Sequence, residues 1–305
     1  MYGWLITNEF LQTSKFSELK DMFLKSAEKL GITLVSYTNA DFTLRADLND
    51  ADSVAFNLGN PDFVIYYDKD IRLGKILEEK GIRLYNRIDA IEICDSKIRT
   101  MEALAGKVKM PETYMVPFTF ENIGLNIKLE TDESEKECFL DRLEVLVSYP
   151  FIIKESHSSF GMGVHLVNNR EEAVDVLNRV GNKECLIQEY ISSSEGRDVR
   201  IQMVGDECVA AMYRYNDSDF KSNITSGGDM KPYEPDNSQI NMAKKIMKTL
   251  NLDFAGIDIM FSEDGSPVLC EVNSNAHFKN LYDCTGVNTA EKILKYIQND
   301  IADLH

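Results

Sequence analysis

The chain has little of what marks fibrous, secreted, membrane-spanning or nucleic-acid-binding proteins. Seven prolines and 17 glycines in 305 residues are too few for a collagen-like or disordered chain. No run approaches the roughly 18–20 uncharged apolar residues of a membrane span. Met1–Glu9 has no basic n-region and meets an acid at Glu9, so no signal peptide is expected. Lys and Arg number 33 against 50 Asp and Glu, leaving a formal charge of −17. A basic footprint for nucleic acid or an anionic membrane is therefore missing. Any phosphate must be held by a few placed cations, glycine-rich backbone or a metal. The cysteines (Cys94, Cys138, Cys185, Cys208, Cys270, Cys284) form no CxxC pair and read as reduced thiols of a cytoplasmic protein.

What is present is ordinary globular composition, with 44% hydrophobic and 27% charged residues, and length for two or three domains. The first ninety residues alternate. Strands are expected at Tyr2–Thr7, Ile32–Tyr37, Pro61–Tyr67 and Ile82–Tyr85, with helices at Phe16–Leu30 and Ile71–Lys80. That order argues a parallel sheet covered by helices. No G-x-G-x-x-G follows the first strand, so no dinucleotide site is expected there. Next come a helix at Asp95–Leu104, a polar excursion over 118–136, and a helix at Cys138–Val147. Strands follow at Pro150–Lys154, Val164–Val167 and Cys185–Glu189, with a helix at Arg170–Val180. The last third predicts two hairpins, Val199–Val204 with Cys208–Tyr213 and Phe254–Phe261 with Pro267–Val272. Helices are expected at Ser238–Leu250 and Val287–Ile301.

Four segments carry candidate chemistry. Lys154 ends a strand and leads into a loop closing on Gly161-Met162-Gly163. Such glycines let backbone N–H groups approach phosphate oxygens, and the lysine adds a point charge. Taken alone the segment also fits a plain surface hairpin. Asp258 lies between apolar neighbours on one strand, and Glu271 and Asn273 share a face of the next. In register they would offer three hard oxygen donors to Mg²⁺; solvent-facing polar residues are the alternative. Gln188-Glu189-Tyr190-Ile191 precedes Gly196-Arg197-Asp198-Val199-Arg200. Linker backbone could meet an adenine edge, Asp198 a ribose and Arg200 a phosphate, or the strand is only a salt-bridged surface. Arg214 and the polar loop Asp219–Gly228 could form a substrate loop, or only a loop.

The order of these pieces resembles the ATP-grasp superfamily, and within it the RimK-type carboxylate–amine ligases, over roughly residues 85–300. The resemblance implies a parallel N-terminal α/β domain (1–92) and two α+β subdomains (93–187 and 188–305) that clamp ATP. It implies ATP and Mg²⁺, with Mn²⁺ as a substitute. Lys97 and Lys154 would contact phosphates, Glu189 and Ile191 the adenine, and Asp198 the ribose. Lys221, Ser222 and Asn223 match a phosphate segment; Asp258, Glu271 and Asn273 match metal ligands; Arg200 and Arg214 match cations near the transferred phosphate. The implied reaction joins a small-molecule or peptide carboxylate to an amino acid or amine through an acylphosphate. No nucleic-acid or membrane partner is implied, and a homo-oligomer is compatible. A nucleotide-binding regulator without turnover is the alternative.

Two departures fall where the acyl or amine substrate should bind. Ser226, before Gly227, stands where the family usually has Arg. Asn275-Ala276-His277-Phe278 replaces a small-residue turn. Losing a guanidinium and gaining an imidazole able to titrate near neutral pH predicts that glutamate is not the preferred amine; the alternative is that Lys221 or Lys279 supplies the missing charge and glutamate still fits.

Overall fold

The computed structural model describes residues 1–303 except 12, 46–53, 56–58, 120–138, 160 and 225–226. Cys138, Ser226 and most of the 118–136 excursion therefore lie outside the described residues. Among those described, no helix is long and apolar enough to cross a membrane.

The first layer is a parallel sheet of β1 (Tyr2–Thr7), β2 (Thr33–Thr38), β5 (Phe63–Tyr67) and β6 (Leu84–Tyr85), in the order β2-β1-β5-β6. A short antiparallel pair, β3 (Thr43–Leu44) and β4 (Val54–Ala55), lies beside it in sequence. Apolar residues on both faces of β1 and β5 require cover on both sides. Leu5, Phe63 and Ile65 meet one core with Leu19 and Phe23 of α1 (Ser14–Lys29). Trp4, Ile6, Val64 and Tyr66 meet another with Leu73, Ile76 and Leu77 of α2 (Ile71–Glu79). Gly3 lets the centre close, because a Cβ there would fall 2.2 Å from the Phe63 ring.

The helix expected at Asp95–Leu104 is α4 (Lys97–Leu104). An unexpected α3 (Ile88–Asp95) precedes it, and the two divide at Ser96, whose backbone is extended and whose Oγ accepts from the Arg99 N–H. The second sheet is antiparallel, in the order β7 (Thr113–Met115), β10 (Cys185–Glu189), β8 (Phe151–Glu155), β9 (Val164–Val167). Helices α5 (Phe139–Glu144) and α6 (Arg170–Val180) share its core.

The third sheet orders β13 (Asp229–Pro232), β12 (Glu207–Tyr215), β11 (Arg197–Val204), β14 (Phe254–Phe261) and β15 (Pro267–Asn273), all antiparallel. α7 (Asn237–Leu250) covers one face with Ala243, Ile246, Met247 and Leu250. Asp236 caps it through a capping box with Gln239. α8 (Lys279–Thr285) and α9 (Thr289–Asp303) return to the first layer, so Leu281, Ile293 and Leu294 share a core with Phe23 and Phe63. Two polar ties lock that return. Arg83 donates to both oxygens of Asp253. The buried Asn86 amide donates to the Phe254 and Ser274 carbonyls and accepts from the Asp253 and Phe254 N–H groups. β13 and α8 had no counterpart in the sequence expectations.

Candidate active site

Cross-strand register builds the centre of the site. Arg200 lies opposite Asp258, Asp198 opposite Arg214, and Asp258 opposite Glu271. Four side chains therefore form an alternating ladder. Arg200 donates to Asp258 through Nε at 2.7 Å and Nη2 at 2.6 Å. Arg214 donates to both oxygens of Asp198, and its Nη2 lies 2.8 Å from Asp258 Oδ2. Asp258 is 1% and Arg214 3% exposed. Burial alone would raise the Asp258 pKa, but the charges and hydrogen bonds of both arginines hold it well below the usual carboxylate range. Arg214 is correspondingly held cationic by Asp198 and Asp258 against its own burial. The expectation that Asp198 meets a ribose and Asp258 a metal thus meets a prior engagement: Asp198 serves Arg214, and Asp258 serves both arginines.

Asp198, Arg214 and Asp258 of this ladder line a cavity of about 130 Å³ between the second and third sheets. Lys97, Lys154, Gly161, Gln188, Glu189, Tyr190, Ile191, Asp198, Lys221, Ser222, Asn223, Asp258, Glu271 and Asn273 all line it, so most of the expected cofactor residues converge. Among the described residues, the Lys154 ammonium makes no hydrogen bond or ion pair. Lys97 Nζ donates to Ser158 O at 2.7 Å and Ser158 Oγ at 3.0 Å, pinning the base of the glycine loop. Burial, reinforced by the nearby Lys154 and Lys69 charges, lowers the Lys97 pKa, while Glu271 opposes the shift. Clustered cations in a chain of net charge −17 suit a polyanion. Gly161 and Gly163 have φ of 74° and 68°, and a Cβ on Gly163 would press on Glu155 at 2.9 Å. Lys221 Nζ reaches the Gly161 carbonyl at 3.2 Å and joins the loop to the third sheet.

At the linker, the Glu189 N–H is committed to the Glu112 carbonyl at 2.9 Å. The Ile191 N–H takes no partner among the described residues. Gln188 is buried and donates to Thr113 Oγ1. On β15, Asn273 Nδ2 donates to Glu271 Oε1 at 3.0 Å. Glu271 Oε2 and Asn273 Oδ1 accept no hydrogen bond among the described residues. Those two hard oxygens, one carboxylate and one amide, beside the Asp258 carboxylate fit a divalent cation such as Mg²⁺.

A second cavity, of about 450 Å³, meets the first at Ser159, Arg214, Asn223, Glu271 and Asn273. Arg200, Asn275 and His277 line it. Gly227 donates to the Ile224 carbonyl at a φ of 88°, and is not among the lining residues. His277 Nε2 lies 2.6 Å from the Lys15 carbonyl, which fixes it as a donor. Burial lowers the His277 pKa, while the Lys15 carbonyl and the Glu18 charge oppose the shift. Sequence reasoning missed the wall supplied by the first layer: Asn8, Lys15, Asp68 and Lys69. Asn8 and Asp68 follow β1 and β5, and the carboxyl ends of parallel strands are where open α/β sheets bind ligands. That rule was the available signal.

Residues 95–297 match the RimK-like ATP-grasp domain. An uncharacterised protein of Mycoplasma pneumoniae is 28% identical over 276 residues, 90% of each chain. The ribosomal protein bS6–L-glutamate ligase of Escherichia fergusonii is 35% identical over 216 residues, 70% of this chain and 66% of that one. A RimK domain ATP-grasp protein of Sphaerobacter thermophilus, 16% identical, has a similar fold, with a TM-score of 0.69 over 97% of this chain and 99% of that one.

Proposed function

Because the chain belongs to the RimK-like ATP-grasp family, whose members are ATP-dependent ligases that form C–N bonds, we propose that it joins a carboxylate to an amine through an acylphosphate. A carboxylate oxygen attacks the γ-phosphorus of ATP, the O–P bond forms, the β–γ bridge breaks and ADP leaves. The amine then attacks the acyl carbon, the C–N bond forms, and phosphate departs as the nitrogen loses its proton. Phosphate is a far better leaving group than oxide, so activation must come first.

The observation that carries this proposal is the Lys154 ammonium, without a partner among the described residues, beside the half-buried Lys97 in one cavity. Lys154 and Lys97 bind phosphate oxygens, and Gly161 and Gly163 bring loop backbone to them. The Ile191 N–H and the linker carbonyls meet the adenine edge. Asp198 and Asp258 hold Arg200 and Arg214 in fixed orientation where the two cavities meet, ready for charge developing on the transferred phosphoryl group. Lys221, Ser222 and Asn223 close over the same end. Glu271 and Asn273, with Asp258 beside them, would hold Mg²⁺, which neutralises phosphate charge when bound. The segments 1–92, 93–187 and 188–305 act as the substrate wall, the loop-bearing clamp and the metal-bearing clamp. Five unpaired cysteines among the described residues fit a cytoplasmic enzyme.

ADP release measured over a panel of amino acids, with and without candidate carboxylates, tests the proposal. Mg²⁺- and substrate-dependent ADP is expected. ATP binding with no ADP release across the panel would instead favour a regulator without turnover.

A further inference from the structure

The proposed reaction leaves one proton unassigned. At pH 7 an amine is mostly an ammonium, whose nitrogen has no lone pair, so a base must free it before it attacks. Among the described residues lining the second cavity, Lys15, Lys69, Arg200 and Arg214 are cations. Burial pushes the Cys94 thiol up to about 12. Asp68 Oδ1 accepts from Asn8 Nδ2 at 3.1 Å and from the Lys69 N–H at 2.7 Å, and its Oδ2 is buried away from the cavity space. Glu271 stands with the metal-binding oxygens. His277 remains.

His277 lies between β15 and α8, and its place is fixed on every side. Ala276 and Phe278, its neighbours, are 4% and 1% exposed. The Tyr67 hydroxyl donates to the Ala276 carbonyl, and the Phe278 ring meets Phe23 and Tyr67 edge-on. The imidazole itself lies 6.0 Å from the Phe16 ring. Its Nε2 is held as a donor by the Lys15 carbonyl at 2.6 Å. Nδ1 accepts no hydrogen bond among the described residues and is not buried. With Nε2 turned to α1, that lone pair is left to the cavity His277 lines. A ring whose one N–H is oriented by an acceptor, and whose other nitrogen is open, is the usual form of a general base. The charges that reach it are Lys15 and Glu18 of α1 and Arg200 of β11; Lys279, beyond it, is paired with Asp283. Burial, with the Lys15 and Arg200 charges, outweighs the Lys15 carbonyl and Glu18, so the ring is neutral at pH 7.

We propose that His277 Nδ1 is the general base that takes the first proton from the ammonium of the incoming amine. This rests on the ligase proposal for the adjoining cavity. An ammonium N–H bond breaks, its electron pair stays on nitrogen, and the proton makes His277 an imidazolium. The Lys15 carbonyl steadies that cation through Nε2–H. The freed amine attacks the acyl carbon, the C–N bond forms and the bond from carbon to the phosphate oxygen breaks. The second N–H proton leaves with the phosphate, and the imidazolium returns its own to water.

The test gives the full chain Mg²⁺, ATP and the carboxylate and amino acid that release ADP fastest, and then replaces the amino acid by hydroxylamine. Hydroxylamine is largely unprotonated at neutral pH and traps an acylphosphate as the hydroxamate without a base. His277→Gln keeps a donor for the Lys15 carbonyl and loses the titrating nitrogen. At pH 7 it should lower the ratio of amide to hydroxamate about 100-fold. The gap should narrow as pH rises and free amine accumulates. In the wild type, amide formation should fall in acid as the imidazole takes its proton, below the ordinary histidine value of about 6.5. Should the variant fail to fold, nitrogen-15 spectra of the four wild-type histidines decide: His277 should be neutral at pH 7 with its proton on Nε2. An unchanged ratio, an equal loss of amide at every pH, an imidazolium at pH 7 or a proton on Nδ1 would each overturn the proposal. Hydroxamate with no amide from any amino acid would leave the ligase proposal standing and overturn this one. Neither product from the wild type would remove both.

Discussion

Two aspartates, Asp258 and Asp68, are both almost wholly removed from water and face adjoining cavities, yet their surroundings have opposite sign. Asp258 is clasped by two guanidiniums and held ionised far below the usual carboxylate range. Asp68 keeps one oxygen without a partner, and burial, with the Asp70 charge adding to it, raises its pKa. The ladder around Asp258 is thus complete in its own side chains, whereas Asp68 and Asn275 each keep a buried acceptor without a partner among the described residues. Preorganisation suits the part whose ligand is the same in every turnover. A buried acceptor left without a partner instead costs the folded state free energy.

The contrast breaks most visibly at Arg214. Replacing it by Met leaves Asp198 buried without its guanidinium and Asp258 with one of its two. A loss of about 3–5 kcal/mol is expected, read from urea unfolding at neutral pH. A stability within 1 kcal/mol of wild type would mean the ladder contributes little.

Lys154→Met probes chemistry without the fold, because that ammonium has no partner to abandon. ADP release should fall about 100-fold or more while the melting temperature moves little. Asn86→Ala reverses the pattern: it removes four hydrogen bonds at a residue that lines neither cavity and should cost about 2–3 kcal/mol at unchanged affinity for AMP-PNP.

The smallest effect concerns Asp68→Asn in the ligand-free protein. A carboxyl whose folded pKa is raised costs the folded state nothing in acid, where it is protonated folded and unfolded alike. The cost appears as pH rises through the folded pKa and persists to neutrality. The variant should therefore gain stability of order 1 kcal/mol or less at pH 7, fading as pH falls towards the ordinary carboxylate range. A loss of stability at pH 7 would show that Asp68 is structural.

The contrast also separates what the chain's local pattern reveals from what it hides. Asp258, Glu271 and Asn273 were legible because period-two spacing on a hairpin places them together, and the register bears this out. Lys154 and the glycine loop were legible because a strand ending in a cation and followed by glycines is a local pattern. The ladder was not. Arg200 and Asp258 are 58 residues apart, and only strand order makes them partners. Asp68 lies in Tyr67-Asp68-Lys69-Asp70, which reads as an ordinary charged turn, and the amide that donates to its carbonyl belongs to Asn275, 207 residues away. α3 follows Arg87 with no side-chain cap, α8 follows Phe278 with none, and β13 is a short polar edge held by its pairing to β12. Each takes its shape from neighbours distant in sequence, where local propensity says little.

The central claim is that the first cavity is a built polyphosphate site whose cations await a nucleotide. Calorimetric titration of AMP-PNP with Mg²⁺ into the wild type and Lys154→Met tests it most directly. The account predicts saturable one-to-one binding to the wild type and at least thirtyfold weaker binding to a variant that unfolds at the wild-type temperature. Equal affinity for both proteins, or no binding to the wild type at millimolar nucleotide, would contradict it.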